Sequence, residues 1–182
     1  EYYLKAKYKW GKSKNAEENE IARGLLRKSI ELDDNLFSAK ILLGRTYAGH
    51  LRGFQQSTLG SPLKIETIDY NKATDIFKEV IIQAEELGDN FWIGRSLRNI
   101  GNIYYNIGDY DKALEYYTRS FGRAEELGDK RGMGYSLNSI GVVHYHKSNY
   151  DKALDYNQRS LELREKESDL FVYLYYPLKQ HR

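Results

Sequence analysis

The chain has 182 residues, 41% hydrophobic and 30% charged, with 28 basic against 26 acidic side chains and a formal net charge of +2. This is the composition of a folded domain with no global field to select nucleic acid or an anionic membrane. The lack of cysteine excludes a disulfide framework, a thiolate nucleophile and a zinc–thiolate site, and no apolar run reaches the ~20 residues of a bilayer span.

The N-terminus EYYLKAKYKW has no signal-peptide core, so the expectation is a soluble, cytoplasmic protein. The chain starts at Glu1 and its single methionine is Met133, so it reads as a piece excised from something longer. In the first stretch, units 1–34, Ala22, Leu26 and Ser29 followed by SIELDDN have the spacing of the second helix of a hairpin.

A second unit, 35–88, places Leu43, Gly44 and Tyr47 before Ala73 and Phe77. It carries about seventeen more residues between Tyr47 and Ala73 than the next unit does. The excess falls near 52–68, RGFQQSTLGSPLKIETI, where Gly53, Gly60, Ser61 and Pro62 break helix. It reads as a surface insertion or extra turns on both helices, or else as a loop that folds over a binding groove or docks another part of the parent protein.

The third unit, 89–128, has two apolar stripes of helical period, Leu97, Ile100, Tyr104 and then Ala113, Tyr116, Tyr117, Ser120, Ala124. Gly108 and Asp109 separate them, glycine suiting a left-handed C-terminal cap and aspartate the next N-cap. AEELGD at 84–89 returns at 124–129 and YDKALEYYTRS at 110–120 returns as YDKALDYNQRS at 150–160, and the fourth unit, 129–168, is identical to the third at about sixteen of forty positions. It keeps Leu137, Ile140, Gly141 and Ala153, with His144 and Asn157 where aromatics are expected. The remainder, 169–182, aligns with the start of a fifth unit but lacks the Gly-Asp pair and contains Pro177. It reads as a partial or capping helix.

A single hairpin cannot bury both of its faces, whereas stacked hairpins can. Small residues at Gly101 and Ala113 let the two helices of a hairpin touch, while Tyr104 and Tyr117 fill the gaps to their neighbours. The pattern predicts an all-α solenoid of antiparallel helix hairpins, one domain over 1–182.

Catalytic chemistry finds no purchase in this sequence. His144 and His146 stand two apart and point to different helix faces, so they do not form an i, i+4 metal pair. Gly128, Gly132 and Gly134 cross a helix junction rather than follow a strand, which argues against a phosphate cradle. Glu85, Glu86, Glu125 and Glu126 recur at equivalent helix ends, as a solvated face does and a catalytic pair does not. No enzyme activity, metal or cofactor is expected.

Leu97, Ile100, Gly101, Tyr104, Ala113 and Tyr117, with their counterparts in the flanking units, resemble the tetratricopeptide repeat. The long period with Gly-Asp between units is similar to the subtype of Partner-of-Inscuteable-type adaptors and bacterial signalling proteins. The N-terminal passage is similar, more loosely, to repeat regions that accompany bacterial adenylate cyclases and regulators.

The resemblance implies a right-handed α-solenoid with a concave groove lined by the first helix of each hairpin, which holds a protein or peptide ligand. Carried over by position, the groove comprises Arg45 in the second unit and Arg95, Arg98, Asn99, Asn102, Tyr105 and Asn106 in the third. In the fourth it comprises Tyr135, Asn138, Tyr145 and His146. The carboxylate clamp of chaperone-binding members is matched only in part, by Arg98, Asn102 and Asn138. Arginine forks suit an acidic or C-terminal carboxylate ligand. The alternative for these residues is an ordinary hydrophilic inner face, interrupted by Ile41, Ala48 and Val142. For the whole chain, two rivals stand beside a protein-interaction scaffold. One is an intramolecular sensor segment of a multidomain cyclase, kinase or transcription regulator, and the other is self-association through YLYYPL near the C-terminus.

Overall fold

The computed structural model describes residues 1–12, 16–49 and 68–165. Among these there are eight helices and no strand: α1 (Tyr2–Lys12), α2 (Ala16–Leu32), α3 (Phe37–Tyr47), α4 (Tyr70–Glu86), α5 (Asn90–Asn106), α6 (Tyr110–Glu126), α7 (Lys130–His146) and α8 (Tyr150–Glu165). All but Ile68 of the 52–68 insertion, and the whole of 169–182, lie outside the described residues. Helix α4 has the same 17 residues as α6, so the excess of the second unit does not lengthen that helix.

The recurring Gly-Asp pairs end one helix and start the next. Gly88, Gly108 and Gly128 have φ of 67°, 84° and 65°, the left-handed region that costs a side-chain-bearing residue energy. At each pair the aspartate N–H donates back to the helix just ended, Asp109 to the Tyr104 carbonyl at 2.9 Å and Asp129 to that of Ala124 at 2.8 Å. Together with the glycine N–H bonds to Tyr105 and Glu125, these form Schellman caps. The aspartate carboxylate then caps the following helix: Asp109 Oδ1 accepts from the Lys112 N–H at 3.2 Å and Asp129 Oδ1 from the Gly132 N–H at 2.9 Å.

Before α8 the pair is Ser148-Asn149, and Ser148 is held at φ 60°. Ser148→Gly is expected to raise stability by about 1 kcal/mol by removing that strain, measurable as a higher denaturant midpoint with an unchanged slope.

Within the second and third hairpins the helices approach closely at a glycine. A Cβ on Gly44 would sit 2.5 Å from the Phe77 ring and one on Gly101 2.6 Å from the Tyr117 ring. The small residue facing each is also buried, Ala73 and Ala113 having no exposed surface. Within the second hairpin, Lys40 of α3 is almost fully buried with its ammonium 2.7 Å from Asp34 and Glu79 and 2.8 Å from Gln83 Oε1, which ties α3 to α4. Between hairpins, Arg23 of α2 donates to the Thr46 carbonyl at 2.9 Å and lies over the Tyr47 ring at 4.0 Å. Its charge thereby closes the C-terminal end of α3.

Successive helices pack as antiparallel neighbours. In addition α1 touches α3, α3 touches α5 and α5 touches α7, whereas no two even-numbered helices make a comparable contact. The odd helices therefore converge and the even ones splay, which places α1, α3, α5 and α7 on the concave side of an all-α solenoid.

Candidate functional site

The concave side carries two adjoining cavities that share Arg45 and Arg95. The larger, of about 490 Å3, lies where α5, α6 and α7 meet, with Arg45 of α3 reaching in. Arg95, Arg98 and Tyr135 line it together with the apolar rim residues Phe91 and Leu127. The smaller, of about 240 Å3, lies between α1, α3 and α5.

Each of these arginines lies against an aromatic ring. The Arg95 guanidinium stands 5.3 Å from the Phe91 ring centre and 5.2 Å from that of Trp92, and Arg98 stands 4.9 Å from the Tyr135 ring. Arg45 stands 5.2 Å from the Trp10 ring. A ring covering the guanidinium face leaves the in-plane N–H edge to donate. No salt bridge engages Arg95 or Arg98 among the described residues, and Arg95 Nε is buried without an acceptor.

Burial pushes the Arg98 pKa down to about 10, with the nearby charges of Arg95 and Arg45 adding to the effect. It stays protonated at neutral pH, and an arriving anion would relieve the crowding of like charge. The one acid among the described residues of the cavity wall, Asp129, has its Oδ1 committed to the cap of α7.

Of the eleven groove candidates, Arg45, Arg95, Arg98 and Tyr135 come together at this cavity. Three others, Tyr105, Tyr145 and His146, gather at the opposite ends of α5 and α7. There the Tyr105 hydroxyl is 2.8 Å from His146 Nε2, and His146 stacks on Tyr110 with ring centres 5.8 Å apart. Asn99 is buried and its amide donates to the Arg95 carbonyl of its own helix at 2.8 Å, so it braces α5. Asn102 Oδ1 accepts from the buried Tyr117 hydroxyl at 2.7 Å, which fixes its amide in one orientation. Asn106 is exposed at the last residue of α5, and Asn138 is partly exposed on α7, outside the lining of either cavity.

Sequence reasoning missed the contribution of α1, whose Tyr3, Lys7 and Trp10 line the smaller cavity. Their spacing of i, i+4 and i+7 is a helical stripe, and it was the available signal. Among the described residues no group of three or more His, Asp or Glu side chains is arranged to hold a metal ion, and no helix is long and apolar enough to cross a membrane.

Residues 67–126 and 92–166 match the family model described as Tetratricopeptide repeat, which together span more than half of the chain. No curated protein matches the chain in sequence. Among solved structures, the crystal structure of Aspartyl phosphate phosphatase F from Bacillus subtilis is similar with a TM-score of 0.73 at 18% identity, over 93% of this chain and 40% of that one. The chain thus spans less than half the length of that protein. A crystal structure of MamA aligns over 82% of this chain and 91% of that one at 19% identity, with a TM-score of 0.36. The repeated hairpins form a protein-interaction scaffold, and the chain belongs to the tetratricopeptide repeat family.

Proposed function

We propose that the concave trough binds a protein or peptide segment carrying carboxylates, with Arg45, Arg95 and Arg98 as its anchors. The observation that carries this reading is the convergence of Arg45, Arg95 and Arg98 on one cavity, which Arg131 also lines, with no carboxylate partner for Arg95 or Arg98 among the described residues. Charge-assisted forks of this kind grip a carboxylate bidentately, and the rings behind them add apolar area.

The double change Arg95→Ala and Arg98→Ala tests it. With a capped peptide of alternating glutamate and glycine in isothermal calorimetry, affinity is expected to fall by about tenfold or more, while far-UV circular dichroism keeps its helical signal. An unchanged affinity would show that the trough is not the binding surface.

A second reading follows from the similar structure, in which a fold like this one occupies 40% of a longer chain. In that reading the trough docks another part of the same polypeptide. Flanking sequence added in cis would then compete with the acidic peptide, and full affinity in the longer chain would count against it.

A further inference from the structure

The smaller cavity sets cationic donors and indole rings beside an apolar strip of Ile41 and Leu42. Lys7 and Trp10 come from α1, Arg45 from α3, and Trp92 and Arg95 from α5, and among the described residues none of the lining is acidic. Two buried donors there, Trp10 Nε1 and Arg95 Nε, have no acceptor among the described residues. A buried donor left unpaired is unfavourable, and two beside one cavity point to an acceptor that arrives from outside.

The lining decides which acceptor suits. Lys7, Arg45 and Arg95 repel a cation. A purely apolar side chain would leave both donors unpaired. A carboxylate meets the charge and the donors together, and its methylene stem lies against the two indole rings. The volume of about 240 Å3 accommodates one side chain and not a packed helix.

We propose that this cavity is a carboxylate-selective subsite of the trough, which takes one glutamate or aspartate side chain of a bound polypeptide. It rests on the reading of the trough as a polypeptide-binding surface. Because Trp10 Nε1 and Arg95 Nε are shielded from solvent, the side chains that cover them shift as the carboxylate enters.

The chain has two tryptophans, and both line this cavity, so intrinsic fluorescence reads the subsite without a label. The probes are the capped peptide of alternating glutamate and glycine, its glutamine counterpart, and free glutarate. The glutamate peptide is expected to shift the tryptophan emission and to bind about tenfold more tightly than the glutamine peptide. Trp10→Phe keeps a ring but removes the N–H, and Lys7→Met removes one charge. Each is expected to narrow the glutamate-to-glutamine ratio by about threefold or more, with the thermal midpoint unchanged for Lys7→Met.

Lys7 is exposed, so its variant keeps the test decisive should Trp10→Phe fail to fold. Glutarate binding as tightly as the peptide overturns a polypeptide side chain as the occupant. Arg98 lines only the larger cavity. Affinity lost in Arg98→Ala, with the ratio intact in Trp10→Phe and Lys7→Met, overturns the subsite and leaves the trough reading standing. Affinity unchanged in all three overturns both.

Discussion

Gly101→Ala is expected to destabilise the third hairpin by about 1–3 kcal/mol, although the same change in an open helix position stabilises. Two effects oppose each other. Alanine restricts the unfolded chain and favours helix over glycine by about 1 kcal/mol. Against this, the new methyl carbon would lie 2.6 Å from one Tyr117 ring carbon and 2.7 Å from another, well inside contact distance.

Tyr117 has little room to retreat. It is 2% exposed and its hydroxyl is tied to Asn102, so overpacking wins over propensity. Gly122 of α6 is the control, because a Cβ there meets nothing within 4 Å. Gly122→Ala is expected to stabilise by about 0.5–1 kcal/mol. Urea denaturation of both variants checks the opposite signs. Pairing Gly101→Ala with Tyr117→Leu should return a large part of the loss, and a purely additive pair would show that the ring is not the cause.

That contact also explains how much of the molecule could be read from its sequence. The hairpins were legible because one physical requirement recurs from hairpin to hairpin: a glycine on the first helix faces a ring on the second, with an alanine one turn before the ring. Gly44 with Phe77 and Gly101 with Tyr117 repeat it, and so do the Gly-Asp caps.

The candidate site was legible only in part, since helical spacing gives the face of a side chain but not its partner. Arg95, Arg98 and Tyr135 share a face and a cavity. Asn99 lies one position away from Arg98, and its amide turns back onto its own helix. Trp10 escaped notice because its role depends on Arg45 and Trp92, which stand about thirty-five and eighty residues away and meet it only once the odd helices converge.

The fourth hairpin departs from the rule at both aromatic positions, and restoring them is expected to stabilise it by about 2–4 kcal/mol in total. Asn157 stands where Tyr117 stands one repeat earlier, against Gly141, and its Oδ1 is buried without a donor among the described residues. His144 stands in the place of Tyr104. It stacks on Tyr156 with ring centres 5.4 Å apart, as Tyr104 stacks on Tyr116 at 5.3 Å, but its Nδ1 is buried and unpaired. Asn157→Tyr and His144→Tyr each replace an orphaned polar atom with ring surface.

The histidine also makes the hairpin sensitive to acid. Burial holds its pKa below the ordinary 6.5, and the ammonium groups of Lys152 and Lys147 add to the effect. In the unfolded chain the imidazole takes up a proton near its ordinary pKa, while in the folded hairpin it resists until lower pH. Stability is therefore full above about pH 6.5 and is lost as the pH falls through the folded pKa. Hydrogen exchange of α7 and α8 at about pH 7.5 and 5.5 should show this loss in the parent chain. His144→Tyr removes the titrating group and should flatten the difference, whereas an equal loss in that variant would assign the acid sensitivity elsewhere. Because a solenoid's stability is a sum over neighbouring repeats, the effect should stay in the last hairpin and leave α3 to α5 protected.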